Sequence, residues 1–430
     1  MKVRYIYSAC IEIETNNLRI LCDPWFAEGI FDGSWYHFPK ITNPLKLIKE
    51  PDIIYISHIH SDHYDPNFLK KLFKKYGKKP ILIANFKENY LLLKSRFDGI
   101  EAIPTDYKKI KTTNIHIIPN DTGSKSDIDS ALLVNCEKSN KTVLNLNDNL
   151  WNPKQNKKLK NLINKYTNQL DLIALSYAGA GPYPQTYYNV KTERKKLIKL
   201  GIIKKNHFFW RYKRICKFFP SKYHLPFAGS YILGGKLHYL NKYRGVSDPV
   251  EVTKFDKKAI ILDDFGKGFI DLSSNKISKL RTKKYSLKEI NKRINSIKKN
   301  KLDYEKDINI EYNKIDFIRL FFQAYKKAQL KSELNNNYYF LFKILDNNKI
   351  KGKLLINANR HKKEIRKINS KEKLGYPVSE ITIDYRYLFG LLTGIYHWNN
   401  AEVGSLYLVK RKPDILNRGA QHYLNFLSIV

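Results

Sequence analysis

The segment YISHIHSDHYDP, residues 55–66, brings His58, His60, Asp62 and His63 into six consecutive positions. Imidazole nitrogens and carboxylate oxygens are the ligands that zinc, iron and manganese take, at about 2.0–2.2 Å from the ion. Alternate residues of a strand point to opposite faces, whereas a loop at a strand end can aim all four of these side chains inward. The preceding DIIYIS has the apolar character of a buried strand, so the potential ligands stand on an element able to hold them. This spacing predicts a site for a divalent transition metal.

The elements around the motif read as two regions. Over residues 1–270 short strand-like runs recur between Asn, Gly and Pro turns, among them VRYIYSACIEIE, LRILCD, ILIANF, IHIIP, SALLVNC, TVLNLND and DLIALSY. The helical patterns NFLKKLFKKY and TERKKLIKL lie between them. Strands with intervening helices predict an α/β class, with stacked sheets flanked by helices in an αββα arrangement. Over residues 271–430, SLKEINKRINSIKKN and IDFIRLFFQAYKKAQLK read as amphipathic helices and NNYYFLFKILD and KGKLLINAN as strands, a smaller α+β region.

Composition narrows the class. With 430 residues, 43% hydrophobic and 13% aromatic, the chain has enough apolar surface for two folded regions, and disorder is excluded. A formal charge of +38 raises nucleic acid or an anionic membrane as partners. The lysines, however, are spread along the chain together with many Asn and Ile, which is a compositional bias and not a nucleic-acid patch. An anionic substrate is steered in favourably all the same. Cys10, Cys22, Cys136 and Cys216 form no CxxC pair and read as reduced thiols. The opening residues alternate and carry Glu12 and Glu14, as a strand does and a signal peptide does not, and no apolar run reaches about 18 residues, so no membrane span and a cytoplasmic location are expected. Neither a P-loop nor a GxGxxG fingerprint is present.

HxHxDH is the central motif of the metallo-β-lactamase superfamily, which the chain resembles at His58, His60, Asp62 and His63. LRILCDPWF is similar to the strand ending in that family's structural aspartate, here Asp23, and TVLNLNDN to the strand delivering its metal-bridging aspartate, here Asp148. Within the superfamily the chain more closely resembles the CMP-N-acetylneuraminate hydroxylase family. DPWFAEGIFDGSWYHFP, ISHIHSDHYDPNFLKKL, DIDSALLV, VLNLNDN, LSYAGAGPYPQTY, ERKKL, LPFAGSY and RKPDIL carry that resemblance, in collinear order over most of the chain. It implies a metallo-β-lactamase sandwich over residues 1–270, two divalent transition metals, and hydroxylation of an acylated sugar on a nucleotide during surface polysaccharide synthesis.

Two departures from the family pattern bear on the chemistry. The hydroxylases carry a Rieske module with C-x-H and C-x-x-H ligands; no cysteine here is followed by the required histidine, so an external electron donor is expected. The histidine that hydrolytic relatives place after the strand IHIIP corresponds to Asp121, while His116 lies inside that strand. A carboxylate is a harder donor that favours iron and dioxygen chemistry; the alternative is an Asx turn opening DTGSKSD. The family's last ligand, a histidine after KYHLPFAGSY, has His238 and His224 as candidates, and the resemblance puts it nearer Gly234 and Gly235. On this resemblance His58, His60, Asp121 and Asp148 hold one metal and Asp62, His63, Asp148 and His238 the other, with Asp62, Asp121 and Asp148 as the catalytic carboxylates. Iron is favoured, with zinc or manganese as alternatives.

The Trp-, Tyr- and Gly-rich loops WFAEGIFDGSWYHF and YAGAGPYPQTYY offer Trp25, Trp35, Tyr36 and Tyr183 as stacking surfaces for a base or sugar ring. Arg19, Lys40 and Arg194 are potential phosphate partners. In the C-terminal region His397, Trp398, Asn399, Asn400 and Glu402 sit between apolar helical patterns and line a ligand cleft or cap a helix. Three functions follow: a dinuclear iron oxygenase acting on an anionic nucleotide-linked or acylated sugar, a zinc hydrolase of an amide, ester or phosphodiester, and a non-catalytic sugar-binding protein with a degenerate site.

Overall fold

The strand Ser130–Cys136, SALLVNC, turns its alternation into layers: Leu132, Val134 and Cys136 face one apolar cluster while Ala131 and Leu133 face another. The computed structural model describes residues 1–120, 128–149, 151–332, 334–368, 374–375 and 377–430. Its first sheet has eight strands in the order Lys276–Ser278, Phe269–Asp271, Lys2–Tyr7, Cys10–Glu14, Arg19–Cys22, Ile53–Tyr55, Ile81–Ile83 and Ala102–Pro104. Pairing is antiparallel as far as Arg19–Cys22 and parallel beyond it. The second sheet has six strands, ordered Ser221–Phe227, Leu170–Ser176, Lys141–Asn145, Ser130–Cys136, Thr113–Pro119 and Tyr107–Ile110; the first three run parallel.

The inner faces of the two sheets enclose a core that includes Val3, Ile11, Ile20, Leu132, Val143 and Leu172. Helices Pro153–Ile163 and Arg194–Phe218 cover the outer face of the second sheet, and Pro66–Tyr76 and Tyr90–Phe97 that of the first. The αββα order of layers expected from the strand–helix alternation is what the chain adopts. Strand Lys276–Ser278 belongs to the first sheet's edge, so the sandwich extends past residue 270. The pattern TERKKLIKL opens a helix of 25 residues, whose buried side, Leu197, Gly201, Tyr212 and Ile215, keeps helical spacing through a lysine-rich stretch.

The C-terminal region builds a five-stranded sheet, ordered Ile365–Lys367, Lys349–Asn357, Tyr339–Asp346, Val378–Asp384 and Leu408–Lys412, with helices Phe317–Lys331, Tyr385–Thr393, Trp398–Val403 and Arg418–Asn425 against it. One apolar cluster runs from Leu21, Ile54 and Leu69 of the sandwich to Phe321, Phe342 and Trp398 of this region. The two parts therefore share a core on the side where the first sheet's helices lie. No described helix is long and apolar enough to cross a membrane, and the four cysteines are unpaired.

Candidate metal centre

The loops that follow the parallel strands Arg19–Cys22, Ile53–Tyr55 and Lys141–Asn145 carry Asp23, His58–His63 and Asp148 to one end of the sandwich. Crevices at the carboxyl ends of parallel strands are where open α/β sheets bind ligands. Three ligand atoms, one each from His58, His63 and Asp148, lie within 4.8 Å of one another. The loop carrying the histidines is pinned at both ends. Ser57 donates from its backbone to Asp23 Oδ1 (2.7 Å) and from its hydroxyl to Asp23 Oδ2 (2.8 Å). Asp65 caps helix Pro66–Tyr76 by accepting from the Phe68 amide (2.9 Å), and its other oxygen accepts from the amides of Phe26 and Ala27 (3.0 and 2.7 Å).

Hydrogen-bond logic fixes the imidazole tautomers. The Ser57 hydroxyl spends its one hydrogen on Asp23, so at 3.0 Å it accepts from His58 Nδ1–H, which leaves His58 Nε2 a lone pair. The Asn399 amide oxygen only accepts, so the His60 nitrogen 2.8 Å from it, Nε2, carries hydrogen and His60 Nδ1 is a lone pair. These two lone pairs face each other at 2.9 Å. Two acceptors that close repel unless a cation lies between them, and ligands of one ion bound at about 2.1 Å stand roughly 3–3.5 Å apart. His63 Nδ1 donates to Asp23 Oδ2 (3.0 Å), turning Nε2 toward Asp62 Oδ2 and Asp148 Oδ2, each 3.6 Å away and beyond hydrogen-bonding distance. Asp148 Oδ1 is buried with no hydrogen-bond partner among the described residues. A carboxylate backing an imidazole whose other nitrogen points inward is the arrangement that supports a metal ligand, so these residues fit a divalent cation.

The electrostatics agree. Burial, and then His63 and His60, hold His58 well below the usual imidazole range, and burial followed by His63 brings His60 down to about 4. Burial alone would lower His63 too, but the carboxylates of Asp62, Asp23 and Asp148 override it and hold its pKa well up. Burial lifts Asp62 to about 6 against the pull of His63. His58 and His60 are thus neutral, each with a nitrogen lone pair to offer a cation, while the surrounding carboxylates hold His63 charged.

Residues 2–158 match the family model of the beta-lactamase superfamily domain. The fold of the chain is that of the metallo-β-lactamases. The cytidine monophosphate-N-acetylneuraminic acid hydroxylase of Danio rerio is 25% identical over 277 residues, covering 60% of this chain and 43% of the relative. The inactive cytidine monophosphate-N-acetylneuraminic acid hydroxylase of Homo sapiens is 24% identical over 271 residues, covering 60% and 51%. The chain thus spans about half the length of the curated relatives it matches. Among solved structures, the isothiocyanate hydrolase from Delia radicum gut bacteria superposes with a TM-score of 0.42 at 15% identity, over 63% of this chain and 99% of that one.

The remaining residues singled out in the sequence are distributed around this sandwich. Asp121 lies outside the described residues. His238 sits on the 3-10 helix Gly235–Tyr243 with Nδ1 against the Gly235 carbonyl oxygen (3.0 Å), apart from the group formed by His58, His63 and Asp148. His224 is held by Asp256 (2.7 Å) and forms with it and Cys216 a second group of close ligand atoms. His116 bonds Tyr166 (2.7 Å). Arg19 opens an interior strand of the first sheet and donates to the Glu50 carbonyl oxygen (2.8 Å).

Trp35 lines the crevice that holds Asp62 and Asp148 and stacks on Tyr231, centroids 3.3 Å apart. Trp25 and Trp398 are instead core residues, both 1% exposed, with indole N–H groups bonded to the carbonyl oxygens of Ala27 and Leu427 (2.7 Å each). Tyr36 is buried on strand Trp35–Tyr36, Tyr183 packs on Tyr187, and Glu402 accepts from Gln421 (2.6 Å). His397, Asn399 and Asn400 line a cavity of about 390 Å³ whose wall includes His60, Tyr64, Tyr90 and Phe426. Sequence reasoning missed Asp129, whose Oδ1 lies 3.7 Å from His58 Nδ1 at the start of strand Ser130–Cys136, and the signal was a carboxylate opening a strand at the same end of the sandwich. It also missed Tyr231 as the partner of Trp35.

Proposed function

We propose that the chain is a metal-dependent enzyme whose centre, built on His58, His60, Asp62, His63 and Asp148, takes two divalent transition metals. The opposed nitrogens His58 Nε2 and His60 Nδ1 carry the metal-binding part of this reading, because one cation shared between them makes the contact of two lone pairs favourable. Iron is the favoured metal and dioxygen activation the chemistry it would supply, acting on an anionic nucleotide-linked or acylated sugar in surface polysaccharide synthesis. Support comes from relatives named as hydroxylases of a cytidine monophosphate-linked acid sugar and from a carboxylate, Asp121, in the third-motif position. An external donor would provide the electrons, and the cytoplasm would be the site of action.

The chain's own residues do the positioning. Asp23 and Ser57 orient the imidazoles, Asn399 fixes His60, and the 390 Å³ cavity beyond His60 has the size of a small-ligand pocket, with Tyr64, Tyr90 and Phe426 to stack on rings and His397 and Asn400 to bond hydroxyl groups. In this reading residues 271–430 complete the cleft and do not form a separate functional unit. One observation favours a zinc hydrolase instead: three imidazoles against two carboxylates is a nitrogen-rich set that suits zinc. Metal analysis of protein from unsupplemented cells, with iron oxidation-state spectroscopy, tests the choice. Stoichiometric iron that changes oxidation state with dioxygen is expected; stoichiometric zinc without iron sinks the oxygenase reading and leaves the hydrolase.

A further inference from the structure

Arg244 is 4% exposed, and among the described residues no carboxylate pairs with it. Its Nη1 donates to the Tyr231 carbonyl oxygen (2.8 Å) and to Asn241 Oδ1 (3.0 Å), while Nε and Nη2 are buried without a hydrogen-bond partner among the described residues. A guanidinium cannot shed its proton to escape burial, so the charge stays and calls for an anion. The loop is built to keep it there. Gly245, at φ +66°, lies against Gly201 of helix Arg194–Phe218, where a Cβ on Gly245 would fall 2.3 Å from the Gly201 carbonyl oxygen. The guanidinium lies over the Tyr231 ring, 3.7 Å from its centroid, and the other face of that ring carries Trp35.

Arg244 lines a cavity of about 170 Å³ together with Ser230, Tyr231, Ser247, Asp248 and Arg281. Its one carboxylate there, Asp248, is engaged by Arg281 at 2.8 Å and by the Tyr285 amide. Ser247 Oγ is a second buried group without a partner among the described residues. Gly229, Tyr231 and Val246 belong both to this cavity and to the crevice holding Asp62 and Asp148, so the two are contiguous. The local field is positive: burial, then the Arg244 charge, bring the Lys204 amine down to about 7.

We infer that Arg244 and Ser247 form a receptor for an anionic oxygen group, a phosphate or a carboxylate, beside the Asp148 side of the metal centre. A bidentate oxyanion on Nε and Nη2 with the Ser247 hydroxyl on a third oxygen satisfies every orphaned donor. That the anion is part of the substrate rests on the function proposed above; that the site binds anions does not. Arg19, Lys40 and Arg194 are not needed for it.

Calorimetric titration of the metal-loaded protein with inorganic phosphate, cytidine monophosphate and N-acetylneuraminate tests the site and separates its sources, the second probe offering phosphate and the third only carboxylate. Binding of at least one of them is expected, weakened tenfold or more by Arg244→Gln and severalfold by Ser247→Ala, with metal content unchanged. Phosphate should raise the melting temperature of the parent and not of Arg244→Gln, which in phosphate-free buffer should melt no lower than the parent because it removes an uncompensated charge. No binding by the parent, equal binding by both variants, or an Arg244→Gln protein destabilised equally with and without phosphate would overturn the proposal. Loss of binding in Arg244→Gln from a zinc-containing protein would retain the anion site while removing the oxygenase reading.

Discussion

Asn399 and His60 are 339 positions apart in sequence and 2.8 Å apart in space, and that one contact decides which imidazole nitrogen faces the centre. His58, His60, Asp62 and His63 were legible because their ligand character and spacing are local; the partners that orient them are not. Asp23 was found through its place after a strand, whereas Asn399 reads in sequence as a polar residue next to a tryptophan, and nothing near it announces an imidazole. Arg244 is invisible for the same reason: a buried arginine and a solvated one have identical letters. The expected role of Asn399 is positioning. Asn399→Ala should weaken metal binding roughly 10–100-fold, while Asn399→Asp, which keeps an oxygen acceptor, should retain most of it. Competitive titration with a chromophoric chelator reads this, and equal affinity in the alanine variant would remove Asn399 from the support of the site.

At the scale of elements, the loop 28–34 joins the sandwich to the C-terminal region through Asp32, which accepts from the Tyr387 hydroxyl (2.6 Å) and whose carbonyl oxygen accepts from the Asp303 amide (3.1 Å). Burial, reinforced by Asp303 and Asp307 and opposed by the Tyr387 hydrogen bond, raises the Asp32 pKa to about 7. Its unfolded value is about 3.9. Between these limits the native state holds a proton that the unfolded chain has released, so this group's contribution to stability falls as pH rises and is level above about 7. Asp32→Asn keeps an acceptor for Tyr387, suits the left-handed backbone at this position (φ 58°), and removes the titration. The loss of stability between about pH 5 and about pH 8 should shrink by on the order of 1–3 kcal/mol in urea unfolding. It should not vanish, because burial also lifts Asp264 to about 6 and Glu402 to about 7. A slope identical to the parent's would contradict the assignment. The strands and helices themselves were largely legible from periodicity. Trp398 was not: next to Asn399 and Asn400 it reads as a cleft residue, but packing against Phe342 and Tyr407 draws it into the core.

At the scale of the whole molecule, the apolar cluster shared between the first sheet's helices and the C-terminal sheet is what brings helix Trp398–Val403 over the histidine loop. The sequence pattern announced two regions but not their shared core, since side chains that bury against a distant element have the same periodicity as those that bury locally. Among the described residues two groups of close metal-ligating atoms result, His58–His63–Asp148 at the strand ends and Cys216–His224–Asp256 behind the second sheet, and of these two the first sits beside the large cavity. The most direct test of the account is metal content by inductively coupled plasma mass spectrometry for the parent, His63→Ala and Cys216→Ser, each purified without added metal. The parent and Cys216→Ser should carry transition metal in equal, at least stoichiometric amounts and His63→Ala should lose most of it; full occupancy in His63→Ala with loss in Cys216→Ser would contradict it.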